Sequence, residues 1–134
     1  MTRDADGFVA IEWVAAVAFL LLPVAVLVAT LPVWAERKAV ASIAAADAAR
    51  VLVADWPHAD PASVADRARE VARDHGVPPA DVDVRIVSVG GAPGSDARVE
   101  VTVVMPAIAV GAVRAGAWRY TAVAVRRVDD YRSR

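Results

Sequence analysis

The chain has 134 residues, of which 57% are hydrophobic and 23% charged, so it has room for one modest domain. Its formal net charge of −1 gives no overall basic field of the kind that nucleic-acid binding requires. It contains no cysteine, which excludes disulfides, cysteine-ligated zinc, iron–sulfur clusters and thiol nucleophiles.

The apolar residues are concentrated near the N-terminus. Residues 13–35 form a run of 23 positions without a charged side chain, and about 20 apolar residues in a helix span a hydrocarbon core of ~30 Å. Trp13 and Trp34 lie 21 positions apart, roughly 31 Å along a helix, a spacing that suits two indoles at opposite surfaces of a bilayer. The sequence therefore predicts one transmembrane helix, with membrane lipid as a partner and these two tryptophans as interface anchors.

The membrane helix is expected to begin near Phe8 and to span residues 8–35. A charged triplet at residues 36–38 marks its emergence into water. An alanine-rich continuation over residues 36–56 keeps helical spacing, and it ends before Pro57 because the residue preceding a proline is disfavoured in the helical region.

Residues 57–134 predict a small α+β head domain. Asp60 is a suitable N-cap for a second helix, Pro61 suits its first turn, and Gly76 suits its C-terminal end. Three segments of alternating apolar and polar residues then predict a three-stranded antiparallel sheet with the helices on one face. The alternation does not decide which side chains of the third strand point towards the core. The head alone is small, so the extramembrane half of the long helix is expected to complete its core. The predicted strands lie at about residues 82–86, 99–105 and 117–128.

One acidic residue stands at the start of the apolar run. Glu12 follows Gly7 by five positions and Phe8 by four. A carboxylate within a membrane span costs about 2.5–3.5 kcal/mol near the centre and less near the interface, so it usually has a partner. The run from Gly7 to Glu12 resembles the type IV prepilin signal, in which a peptidase cuts after the glycine and leaves an aromatic first residue and a glutamate at the fifth position. By this resemblance, residues 1–7 are a prepilin-type leader.

The resemblance also gives Glu12 a role in assembly. Cleavage between Gly7 and Phe8 creates an amine that lies on the same helix face as the Glu12 carboxylate. The glutamate of one subunit can then pair with the amine of its neighbour as the helices pack into a filament. In lipid, this pairing of opposite charges supplies both affinity and axial register.

Within that superfamily, the chain is most similar to the TadE-like minor pseudopilins of the tight-adherence pilus system. Glu12 and Trp13 match their glutamate followed by an aromatic residue, and residues 44–50 resemble the small-residue and arginine stretch just outside their membrane helix. Residues 98–106 and 120–126 are similar to their closing pair of strands, which a proline-led loop joins.

This resemblance implies a pilus assembly component that is not an enzyme and has no cofactor. Its implied partners are the prepilin peptidase, other pilin or pseudopilin subunits and the membrane assembly platform. It implies a single-pass protein of the cell membrane with an extracytoplasmic head, either resident in the membrane or incorporated into a surface pilus.

Two alternatives remain open. The first concerns orientation: Arg37 and Lys38 follow the apolar run, and the excess of positive charge on the cytoplasmic side of membrane proteins weakly favours a cytoplasmic head.

The second alternative concerns function: the chain is an uncleaved single-pass protein whose head binds a wall component or another membrane protein. In that case Gly7 and Glu12 should tolerate substitution, whereas the head surface should not.

The other candidate sites give weaker indications of a function. His58 and His75 are the only histidines and flank the second helix, so a metal site from these two is not expected. The glycine-rich residues 90–94 lack the Gly-Lys-Ser/Thr ending of a phosphate-binding loop and are interpreted as a hairpin turn. The apolar residues 106–113 are interpreted as a buried crossing segment or, alternatively, as a subunit contact. The sequence therefore predicts no catalytic residue and no metal.

Overall fold

The architecture is α+β, as the sequence predicts: a long N-terminal helix, a second helix and a three-stranded antiparallel sheet. These elements are taken from a computed structural model of the chain. It describes the backbone of residues 3–110 and 113–129 and, within them, the side chains of residues 11–108 and 116–129.

Helix α1 runs over Arg3–Ala54, which is 52 residues or about 78 Å at the usual rise per residue. Its end agrees with the predicted end, whereas its beginning lies N-terminal to Phe8, where the sequence placed the start. The predicted leader is therefore helical from Arg3 onward, and residues 1 and 2 lie outside the described residues.

Helix α2, Pro61–Asp74, begins and ends at the predicted signals. The carboxylate of Asp60 accepts hydrogen bonds from the backbone N–H groups of Ala62 and Ser63 at 3.1 and 3.3 Å. These bonds satisfy two of the amides that have no partner within the helix. Gly76 follows the helix with a φ of +76°, a left-handed conformation that glycine adopts without steric strain.

The described residues form five strands after a 3-10 turn at Pro79–Asp81. Their bounds are β1 Val82–Ser88, β2 Asp96–Val104, β3 Ile108–Val110, β4 Val113–Ala115 and β5 Arg119–Arg127. Strands β1, β2 and β5 form the predicted antiparallel meander, with β2 in the centre. Strands β3 and β4 form a separate hairpin where the sequence predicted a single crossing segment or a subunit contact. Each of these two strands is only three residues long, too short for its alternation to be recognised in the sequence.

The inward face of β5, which the sequence left open, is the one that carries Ala122. This residue is buried and lies opposite Val101 of β2, while Tyr120 and Ala124 on the same face are partly buried against the core. Val123, on the opposite face, is 52% exposed. The alternating set that contains Tyr120, Ala122 and Ala124 therefore faces the helices.

The core lies between the sheet and the C-terminal half of α1, as the small size of the head predicts. The helix contributes a face made mostly of buried alanines, whose small side chains let the sheet approach the helix closely. Three valines of the central strand pack onto this face. The buried helix residues are Val40, Ala41, Ala44, Ala45, Ala48, Ala49 and Leu52, and the buried valines of β2 are Val99, Val101 and Val103.

Candidate functional site

The predicted assembly residue Glu12 lies on the surface of α1 near its N-terminal end. Its side chain is exposed and lies beside Trp13, Ala16, Val17 and Leu20 on the surface of the same helix. No cation of the side chains that the structure describes forms an ion pair with it. A carboxylate among apolar side chains is costly to place in lipid without a partner, so this surface presents an acid that a second molecule can neutralise.

The predicted cleavage residues Gly7 and Phe8 lie in the N-terminal part of α1. The backbone there is helical, and the side chains of both residues lie outside the described ones. Because Phe8 and Glu12 are four residues apart in one helix, they share a face and are separated by about 6 Å along its axis. The backbone therefore places the predicted new N-terminus and the acid on one side of the helix.

We refer to residues 11–35 as the apolar half of α1. In the described part of the chain, one helix is long and apolar enough to cross a membrane; it is Ile11–Ala54, near the N-terminus, and none of its most apolar stretch is buried. The helix continues through Pro23 and Pro32, each of which leaves a preceding carbonyl without its usual N–H donor. The predicted transmembrane helix is thus supported by length and composition.

The two predicted interface anchors have different surroundings. Trp13 is 70% exposed on the surface of α1. Trp34 is half-buried and faces the head: its Nε1–H donates a long hydrogen bond of 3.4 Å to the carbonyl oxygen of Pro106. Its ring also meets that of Trp118 edge to face, with centroids 5.7 Å apart. The sequence indicated an anchor but not this contact, because a partner so distant along the chain leaves no local signal.

Arg37 ties the helix to the sheet one turn beyond Trp34. Its guanidinium donates to the carboxylate of Asp81 at 3.2 Å and to the carbonyl oxygen of Val104 at 2.8 Å. The Arg37 side chain is only 20% exposed, so both bonds are shielded from water. This residue, predicted only to mark the emergence of the helix, therefore fixes the end of β2 against α1.

A second cation completes the junction between helix and head. The Lys38 ammonium lies 5.8 and 5.2 Å from the ring centroids of Trp118 and Tyr120, within the range of cation–π attraction. We name Trp34, Lys38, Trp118 and Tyr120 the junction cluster. It places three aromatic rings and a positive charge where the apolar half of α1 meets the head.

The remaining tryptophan, Trp56, contacts the opposite end of the sheet. The Nε1–H of Trp56 donates to the carbonyl oxygen of Gly90 at 2.9 Å. Gly90 lies in the loop before β2, whereas Pro106, the partner of Trp34, follows the end of that strand. Helix α1 and β2 therefore run antiparallel, held by Trp34 within the helix and by Trp56 two residues beyond its end.

An ion-pair network joins the two helices. Arg67 of α2 contacts Glu70 at 2.8 Å and Asp47 of α1 at 3.0 Å. The hydrogen bonds that it donates to Glu70 and to Asp47 raise the pKa of Arg67 above its ordinary value. The guanidinium therefore stays charged throughout the physiological pH range, and the network acts as a structural tie.

The two histidines and the glycine-rich loop, which were weaker candidate sites, have local structural roles. His75 caps α2, and its Nδ1 lies 2.8 Å from the carbonyl oxygen of Val71, while His58 lies between the two helices. Among the described residues, no group of three or more His, Cys, Asp or Glu side chains could hold a metal ion. The glycine-rich loop joins β1 to β2, as the predicted hairpin turn requires.

The chain matches no protein-family model, no curated protein and no solved structure. Its class is therefore defined by its own architecture: an α+β head built on one half of a long helix whose other half is apolar and largely exposed. The apolar half carries Glu12 at its far end and the junction cluster at its near end.

Proposed function

We propose that the chain is a TadE-like minor pseudopilin, a non-enzymatic assembly component of a tight-adherence pilus system. The observation that carries this proposal is the position of Glu12, an exposed carboxylate among apolar side chains one helical turn from Phe8. The apolar half of α1 supports the same role, because it is long enough to cross a bilayer and its most apolar stretch is not buried by the head.

In the proposed mechanism, prepilin peptidase removes residues 1–7 and leaves the α-amine of Phe8 as the N-terminus. A carboxylate in a membrane span costs on the order of 2.5–3.5 kcal/mol at the centre, and pairing with the amine of a neighbouring subunit offsets that cost. The pair forms only when two helices pack at one axial offset, so it selects the register of assembly. The head, fixed to the rest of the same helix, is carried on the extracytoplasmic side.

Cleavage is tested by the intact mass of the protein extracted from membranes. Co-expression with an active prepilin peptidase should give a chain that begins at Phe8, and co-expression with an inactive peptidase should give a chain that keeps residues 1–7. A chain that keeps its leader beside the active enzyme would contradict the proposal.

The role of the acid is tested by Glu12→Gln, which keeps the shape of the side chain and removes its charge. This variant should enter membranes normally and fail to support pilus assembly. Glu36→Gln is the matched control, because Glu36 is exposed on the same helix just beyond the apolar half. Normal piliation with the Glu12 variant would exclude the assembly role.

The alternative function is an uncleaved single-pass protein whose head binds a wall or membrane partner. One observation favours it: α1 runs from Arg3 through the predicted cleavage point as a continuous helix, whereas proteolysis concentrates at exposed loops and termini. Under this alternative, the mature chain keeps residues 1–7 and Glu12→Gln has no effect, while substitutions on the head abolish partner binding.

A further inference from the structure

We propose that copies of this chain associate through the edges of their sheets, with β5 of one copy pairing in parallel with β1 of the next. Strands β1 and β5 are the two edges of the three-stranded sheet, and each pairs on one side only, with β2. The backbone groups on the other side of an edge strand are a template for pairing with another chain. The second copy of the chain is the partner that the apolar side chains, strand directions and charges of these edges favour.

The exposed apolar side chains of the head are concentrated at its two edges. Beyond the apolar half of α1, six of the large hydrophobic side chains that the structure describes are exposed, and four of these are valines of β1, of the loop that follows it and of β5. Level with the two valines of β5, the central strand carries Glu100 and Arg98. Natural sheets usually protect their edges with charged residues, so apolar edges around a polar centre indicate a binding surface. The four valines are Val87, Val89, Val123 and Val125.

The directions of the strands favour a parallel pairing. Strands β1 and β5 run the same way, because each is antiparallel to β2. Helix α1 lies along this sheet, antiparallel to β2. Parallel pairing of β5 with β1 therefore keeps the α1 helices of all copies pointing in one direction, which the membrane insertion proposed above requires. A two-fold, antiparallel pairing of two identical edges would reverse one of the two helices.

Like charges oppose the two-fold arrangements independently of the membrane. Strand β5 begins with one arginine and ends with two, so an antiparallel pair of β5 strands brings arginines together at both ends. Strand β1 has Arg85 at its middle position, so two antiparallel β1 strands meet at this residue. Like charges directly opposite each other destabilise a strand pair.

The parallel pairing of unlike edges avoids these repulsions. If the rows of side chains in the sheet continue into the next copy, Asp83 lies one row from Arg119 of its neighbour, and both side chains are exposed. Ser88 is level with Val125, so the exposed Val87 beside it meets an exposed valine of the next copy. The two surfaces differ, so the contact can repeat from copy to copy without closing on itself.

Single cysteines test the pairing, because the natural chain has none. Val87→Cys and Val125→Cys are matched, since the two valines are 46% and 47% exposed on opposite edges. Neighbouring strands lie about 4.8 Å apart, a separation that a disulfide can span, whereas two positions on β1 and β5 of one chain are two strands, or roughly 10 Å, apart. Arg98→Cys is the control, because Arg98 is exposed on the central strand, level with Val125.

Full-length variants purified in detergent are oxidised with copper phenanthroline and separated without reductant. An equal mixture of the Val87→Cys and Val125→Cys proteins should give a disulfide dimer at several times the yield of either variant alone. A chain that carries both cysteines should give a ladder of multimers. A mixed-dimer yield no higher than that of each variant alone would overturn the proposal. An equal yield with Arg98→Cys in place of Val125→Cys would also overturn it, because the contact would then not lie at the edges. The experiment requires neither leader cleavage nor Glu12, so this contact and the proposed function can fail separately.

Discussion

The indole of Trp34 lies edge-on to that of Trp118, with ring centroids 5.7 Å apart and planes at 88°. This contact joins the end of the apolar half of α1 to the segment that leads from the hairpin into β5. Edge-to-face aromatic pairs contribute about 0.5–1.5 kcal/mol beyond the area that they bury.

Trp34→Ala and Trp118→Ala should therefore each destabilise the head, and the double variant should lose less than the sum of the two. The expected coupling free energy is about 0.5–1.5 kcal/mol. It is measured by denaturant unfolding of the full chain in detergent, followed by near-ultraviolet circular dichroism. Trp13→Ala is the control, because Trp13 is 70% exposed and should leave head stability unchanged. A coupling near zero would show that the two rings do not stabilise the junction.

The alanine face of α1 predicts sensitivity to added volume. Ala48 is fully buried in the core that α1 forms with α2 and the sheet, and inserting methylene groups into a packed core costs typically about 1–3 kcal/mol. Ala48→Leu should lower the free energy of unfolding by at least that amount, whereas Ala39→Leu, at an exposed position of the same helix, should be nearly neutral. Equal stabilities of the two variants would mean that the core is not closely packed on this face.

The loop between β1 and β2 contains a matched pair of glycines. Gly90 has a φ of +78°, and a Cβ there would meet Cγ2 of Val128 at 2.8 Å and Oγ of Ser95 at 2.9 Å. Gly90→Ala should therefore lower the free energy of unfolding, by about 1–3 kcal/mol for a strained non-glycine backbone. Gly91→Ala meets no atom within 4 Å and should have little effect. A thermal melt of both variants decides the comparison, and a stable Gly90→Ala protein would contradict the loop geometry.

The parts of the fold that the sequence predicts are those whose signals are local. The N-cap Asp60 and the C-terminal Gly76 of α2 are each recognised from a few neighbouring residues. The strands are recognised from the alternation of apolar and polar residues within them. The expectation that α1 completes the core follows from the size of the head, and the buried alanines between Ala41 and Ala49 confirm it.

The parts that the sequence does not predict depend on contacts between distant residues. Trp34 reaches Trp118, Lys38 reaches Tyr120 and Trp56 reaches the loop before β2 only after the sheet has been placed on the helix. The β3–β4 hairpin also contacts α1 through β3, far away in sequence, and a two-stranded hairpin is at best marginally stable on its own. In the proposed assembly the partner of Glu12 belongs to another molecule, so no contact within one chain predicts it.

The antiparallel arrangement of α1 and β2 has a mechanical consequence. A tensile load applied to the N-terminal part of α1 is directed along the helix axis, away from the end of the helix–sheet contact near Trp56 and through the end near Trp34. Such a load shears the whole helix–sheet contact at once, with Trp34 and Trp56 at its two ends, and does not peel it apart one residue at a time. The head is therefore suited to resist axial pulling far better than a force applied across the sheet.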